Sequence, residues 1–315
     1  MKPQVSVIIP TYNAERYIKA ALDSILQEKS IPLEVIVIDD GCTDNSIAIV
    51  TAIQDPRIRI LSGQKRGIIG SAHAGIDAAL GRVIMRCDAD DQFPADRIAR
   101  QMQWLDQHPE FGAVCGNYAT IDTKGHLIAQ LACGDQAEEI TAELRGGRLR
   151  NHFCTFAIRA EILQTVRGRS ALHTGADLDW QLRIGEACRV WYLPTSEYYY
   201  RLHGDSQTHQ SKKQSLQFYD QLVLTLQQQR LAQGQDDLDL GRPLPSPPLN
   251  NTDSASINTA TTHIQGQLLG YAWRQHRDGQ KLAALQTGLR GLRLNPFNGS
   301  YWRSVIALLL KPAGR

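Results

Sequence analysis

Residues 5–39 read VSVIIPTYNAERYIKAALDSILQEKSIPLEVIVID. The β-branched run at 5–9 predicts a buried strand, because nothing in it faces water at the period of two that a half-exposed strand shows. Tyr17, Ile18, Ala21, Leu22, Ile25 and Leu26 then share one helical face, with Asn13 placed to cap that helix, and 33–38 is a second buried strand. Strand, helix and strand in so short a span make a βαβ unit and imply an α/β fold around a parallel sheet.

The alternation continues to about Asp91. Ile47, Val50 and Ile53 mark a short helix, Ile58, Ile60 and Leu61 a third strand, 76–80 the end of another helix and 83–85 a fourth strand. Pro94 is expected to begin the next helix, with Ile98, Met102 and Leu105 as its apolar face. Beyond Phe111 the pattern loosens into expected strands at 113–115, 155–158, 190–193 and 198–202, followed by a helix carrying Leu216, Tyr219, Val223 and Leu226. Residues 235–262 are rich in Pro, Asp, Ser, Asn and Thr without periodicity, which reads as a linker or long loop. The expected organisation is therefore a main domain at 1–234, a linker at 235–262 and a helical appendage at 263–315, the last broken at Asn295, Pro296 and Asn298.

With 42% hydrophobic and 21% charged residues over 315 positions, the chain can bury a sizeable core and is neither disordered nor fibrous. Its 34 Lys and Arg against 32 Asp and Glu create no bulk field, so nucleic acid is not an expected partner. No run approaches the roughly 18 apolar residues of a membrane-spanning helix, and the entry into the first strand reads as structure rather than a signal peptide. The 6 cysteines are scattered without a CxxC pair, which suggests buried free thiols in a reducing, cytoplasmic setting rather than disulfides or zinc.

In open α/β sheets ligands sit beyond the carboxyl ends of the strands. Those positions hold Pro10, Thr11 and Tyr12 after the first strand, Asp39, Asp40 and Asp44 after the second, and Asp88, Asp90 and Asp91 after the fourth. Asp44 and Asp39 have a ready role as turn or cap residues. Carboxylates gathered on one edge without basic partners repel, and a divalent cation that also neutralises a phosphate-bearing ligand relieves the repulsion.

The motifs VSVIIPTYN (5–13), IDDGCTDNS (38–46), CDADD (87–91) and YRLHGDS (200–206) together resemble the inverting family 2 glycosyltransferases of GT-A fold, over about residues 5–210. The resemblance implies a nucleotide-binding sheet flanked by helices and a nucleotide-diphosphate sugar as donor, a UDP-sugar being the commonest case. It assigns Pro10, Thr11, Tyr12 and Asp40 to the base, Asp88 and Asp90 to the rest of the nucleotide, and Asp90 and Asp91 to Mn²⁺ or Mg²⁺. The segment 174–183, TGADLDWQLR, is similar to the family's acidic motif at a helix start, with Ala176-Asp177 where relatives have Glu-Asp. Asp177 is then the general base, with Asp179 as the competing carboxylate. Arg201 and His203 match the closing loop that reaches the diphosphate. Relatives often carry Arg-Asn where this chain has Ala72-His73, and Lys65 or Arg66 is the expected substitute cation.

Such an enzyme would serve polysaccharide biosynthesis for the cell envelope from the cytoplasm or the inner face of the membrane, with a glycan, lipid-linked or protein acceptor bound by residues between Phe111 and His173. A dinucleotide-dependent oxidoreductase lacks its GxGxxG turn here, and a sugar nucleotidyltransferase lacks its basic glycine-rich loop after the first strand. A non-catalytic nucleotide-sugar-binding scaffold is the other alternative, which intact Asp90, Asp91 and Asp177 oppose. The appendage mixes Arg290, Arg293, Arg303, Lys311 and Arg315 with Leu289, Leu292, Leu294 and 308–310, a pattern suited to packing or to peripheral contact with an anionic membrane.

Overall fold

The computed structural model describes residues 2–131, 134–204, 213–246 and 260–314. Cys133, Asp205, Ser206 and residues 247–259 of the expected linker lie outside the described residues. The chain forms two compact units, one of 1–118, 132–200 and 213–249, the other of 119–131, 201–212 and 250–315.

The first unit is built on the parallel strands β1 (Val5–Thr11), β2 (Leu33–Asp39), β3 (Ile58–Ser62) and β4 (Val83–Arg86). Its remaining strands are β5 (Ala113–Ile121), which runs on into the second unit, β7 (Glu138–Glu139), β8 (Ala157–Arg159) and β9 (Val190–Arg201), in the order β3-β2-β1-β4-β8-β5-β9-β7. The register sets Thr11 opposite Asp39 and Asp39 opposite Ser62, so the segments after β1, β2 and β3 leave along one edge. Because β1 pairs with both β2 and β4, the strand order reverses between β1 and β4, and that reversal opens the crevice where such sheets bind ligands.

Alternate residues of the buried strands face opposite layers. Val5, Val7, Ile9, Val35 and Val37 pack against α1 (Ile18–Leu26), α2 (Ser46–Ala52) and α4 (Arg97–Gln107). Ile8, Ile36, Ile38 and Ile84 pack against α3 (Gly67–Ala78), α7 (Ala176–Ala187) and the long helix α8 (Lys213–Gln233), with α5 (Thr141–Arg145) and α6 (Ala160–Thr165) beside them. Ile18, Leu22 and Ile25 of α1 are fully buried, and each such side chain stabilises the fold by roughly 1.5–3 kcal/mol.

Four local expectations are corrected. Pro94 does not begin a helix: Asp96 adopts φ 59°, which interrupts helical geometry, and α4 starts at Arg97. Asn13 does not cap α1, because its Oδ1 accepts from the Thr43 amide (2.8 Å) and ties the two ligand-edge loops together. The stretches 190–193 and 198–201 form one strand that runs through Pro194 and ends before Leu202. Part of the stretch read as linker is fixed on the first unit: Asp236 is buried and paired with Arg169 and Arg230, while Leu238 and Leu244 pack on the core.

In the second unit β6 (Leu127–Leu131) pairs with the end of β5 through Thr120 and Ala129, beside the helices α9 (Ala260–Arg277), α10 (Lys281–Leu294) and α11 (Gly299–Leu310). Among the described residues no helix is long and apolar enough to cross a membrane. Among the described residues Cys42, Cys87, Cys115, Cys154 and Cys188 are thiols outside any disulfide, and burial pushes Cys42 up to about 11 and Cys188 to about 12.

Candidate active site

Thr11 ends β1 buried, and the next residue, Tyr12, is 61% exposed, so its ring offers a free face at the mouth of the crevice. The Asp40 amide donates to the Thr11 carbonyl (2.9 Å), and Asp40 Oδ1 accepts from the Arg66 amide at the start of α3 (2.9 Å). Gly63 permits this approach: a Cβ there would lie 2.8 Å from Asp40 Oδ1 and 2.7 Å from Ser71 Oγ. Asp39 accepts from the Gly41 and Cys42 amides and Asp44 from Glu15 and Ser46, so both shape the loop. The Arg66 guanidinium is exposed and bonds Gln64, whereas Ala72 is buried in the core.

Past β4 the central feature is a residue absent from the sequence expectations. Arg86 is buried, with Nε donating to Asp88 Oδ1 (2.9 Å) and Nη1 to Asp177 Oδ1 (2.8 Å), while Nη2 lies 3.3 Å from Asp88 Oδ2 and 3.4 Å from Asp177 Oδ2. Burial opposes its charge, but Asp177 and Asp88 outweigh that cost and hold Arg86 firmly protonated. The Asp88 amide donates to the hydroxyl of buried Tyr198 (2.9 Å), which anchors the turn from below. Asp90 stays partly exposed, whereas Asp91 is fully buried, its amide donating to the Asp88 carbonyl (3.1 Å).

The two candidate bases have different surroundings. Asp177, in the first turn of α7, is 36% exposed and accepts from Arg86. Asp179 is fully buried near Arg169 (3.6 Å), Arg183 (3.7 Å) and Arg230 (3.4 Å), and burial raises its pKa against their pull. Asp179 thus belongs to an internal ionic cluster with Asp236 rather than to the crevice. Asp179→Asn removes one of the buried carboxylates that balance Arg169, Arg183 and Arg230 and is expected to lower stability by about 3–5 kcal/mol, the usual effect of breaking a buried pair. Chemical unfolding checks this, and Asp177→Asn, which is partly exposed and leaves Arg86 its Asp88 partner, should lose less stability in the same assay.

His152 is a second residue the sequence did not single out. Its ring stacks on Tyr198 (5.5 Å, 9°), and Nδ1 accepts from the Cys154 amide (3.2 Å), which places the ring proton on Nε2. Burial lowers its pKa, with Asp88 and Asp177 only partly offsetting that, which favours the neutral ring with its donor at Nε2. The sequence signals for both residues were faint: an arginine closing an apolar strand before CDADD, and a histidine in the unpatterned half.

Arg201 and His203 are buried in the second unit, where Arg201 Nη1 donates to the Asp122 carbonyl (2.8 Å) and the Leu202 amide to Ile121 (2.9 Å).

A sheet of this order with helices on both faces defines the GT-A type of glycosyltransferase fold. The S. aureus TarS fragment 1–349 in complex with UDP-GlcNAc has the same architecture, with TM-score 0.59 at 16% identity over 98% of this chain and 80% of that one. Residues 6–167 match the family described as glycosyl transferase family 2, and the chain belongs to that family. It is 30% identical over 207 residues to a hyaluronan synthase of Pasteurella multocida, covering 65% of this chain and 21% of the synthase. It is 38% identical over 105 residues to the succinoglycan biosynthesis protein ExoO of Rhizobium meliloti, covering 33% of this chain and 30% of that one. The matched region thus spans less than a third of the length of either relative.

Proposed function

We propose that this chain moves a sugar from a nucleoside-diphosphate sugar to an acceptor hydroxyl with inversion at the anomeric carbon. The observation that carries the reading is the Arg86 fork, which joins Asp88 at the nucleotide edge to Asp177 at the start of α7. Tyr12 stacks on the base, Asp40 accepts a base N–H, and Asp88 takes the ribose hydroxyls. The TarS complex with UDP-GlcNAc supports UDP as the nucleotide, and the polymer-forming relatives support a glycan acceptor in polysaccharide biosynthesis.

Asp177 then takes the acceptor's proton as the new bond to the anomeric carbon forms and the bond to the diphosphate breaks. Its Oδ1 is held at 2.8 Å by Arg86 and its Oδ2 only at 3.4 Å, so Oδ2 is the oxygen left for the proton. Neutral His152 supplies a hydrogen-bond donor to a sugar or acceptor oxygen nearby.

Among the described residues no three His, Cys, Asp or Glu side chains gather closely enough to hold a cation alone. That fits a Mg²⁺ or Mn²⁺ ion shared with substrate phosphates, which needs only one or two carboxylates from the protein. Partly exposed Asp90 is the residue that would hold it, with Asp91 buried behind. Such an ion supplies Lewis-acid stabilisation of the departing diphosphate. EDTA is expected to abolish donor turnover, and Asp90→Ala to weaken metal-dependent UDP binding in titration calorimetry. Full turnover in EDTA would contradict the metal assignment.

A further inference from the structure

The three helices of the second unit bury Leu268, Ala272, Ala284, Leu292, Tyr301, Val305 and Leu308, so their core is already filled. Helix α11 nevertheless carries a second apolar row. Trp302, Ile306, Leu309 and Leu310 are 43, 47, 55 and 75% exposed, at the i, i+4, i+7, i+8 spacing that puts them on one face. Just before the helix Phe297 is 94% exposed, and the Trp302 indole N–H donates to the Pro296 carbonyl (2.8 Å), which fixes the ring beside that turn.

Charge decides what such a face meets. Residues 260–315 contain eight Lys and Arg but only Asp278 as an acid, whereas the whole chain is nearly balanced at 34 against 32. Arg293, Arg303 and Lys311 are exposed before, on and after α11. Two copies apposed through this face would bring like charges together at its edge. A nucleic acid would leave the apolar row without a partner. A bilayer with anionic headgroups satisfies both features: the apolar row enters the headgroup and acyl boundary while the cations pair with lipid phosphates.

We propose that α11 docks this protein on an anionic membrane surface, lying along it without crossing. The inference does not depend on sugar transfer, because its readout is lipid binding.

The test is co-sedimentation of the full chain with vesicles of phosphatidylcholine alone or mixed with phosphatidylglycerol. Binding should require phosphatidylglycerol and weaken with salt. Arg303→Ala and Lys311→Ala should each weaken it about five-fold, the effect of one basic residue at such a surface. Ile306→Asp with Leu309→Asp should abolish it while UDP affinity and circular dichroism stay unchanged, which separates lost docking from lost folding. No sedimentation with either vesicle, or equal sedimentation with both, would overturn the proposal. So would a concentration-dependent dimer, seen by light scattering, that the Ile306→Asp, Leu309→Asp variant loses while vesicle binding persists.

Discussion

Asp177→Asn is expected to lower sugar transfer by about 10²–10⁴-fold, the range for loss of a general base, with UDP affinity near wild type. Asparagine keeps the shape and can still accept from Arg86, but it lacks the basic oxygen that takes the proton. A carboxylate suits the task because the acceptor hydroxyl acidifies only as its bond to the sugar forms, so the proton moves late in the displacement. Steady-state kinetics with calorimetric UDP binding checks both halves. Asp179→Asn should instead retain kcat at temperatures where it stays folded. The opposite ranking of the two variants would move the base two residues along α7.

Arg86→Lys is expected to lower transfer on the order of 10²-fold, the scale set by ångström misplacement of reacting groups, and to change both kcat and KM. The guanidinium spans Asp88 and Asp177 as a rigid fork, and a lysine ammonium keeps the charge but reaches the pair as a point, so one carboxylate loses its orientation. Loosening Asp177 lowers kcat, and loosening Asp88 raises KM for the donor. The split distinguishes Arg86 from Asp177, whose asparagine variant changes kcat alone. Arg86→Met should unfold earlier as well, because removing one partner of a buried ion pair costs about 3–5 kcal/mol. Wild-type kinetics in Arg86→Lys would show that the fork is structural only.

Much of the fold was legible in residues 5–91, because parallel strands read as short, mostly apolar runs rich in Val and Ile and the expected ligand edge follows them. Asp88 and Asp177 were readable as local motifs, one at a strand end and the other at a helix start. Their partnership was not, since Arg86 and Asp177 stand 91 residues apart and only the packing of α7 on the sheet joins them. What sets Asp179 apart from Asp177 is the arginines around it, which arrive from separate segments at Arg169 and Arg230 and could not be read locally. The fixed start of the expected linker follows from the same cluster: Asp236 looks like a loop residue in sequence and becomes an anchor once those arginines surround it. Pro94 misled because a proline suits both a first helical turn and the turn before it, and the backbone of Asp96 decides between them.

On the proposed function, the crevice between β1 and β4 activates a nucleoside-diphosphate sugar. The most direct measurement incubates the protein with a panel of UDP-, GDP- and dTDP-sugars and Mn²⁺ and quantifies the nucleoside diphosphate released. Slow release of UDP from a UDP-sugar is expected, with faster turnover once the acceptor is supplied. Failure to release or bind any nucleotide across the whole panel would contradict it.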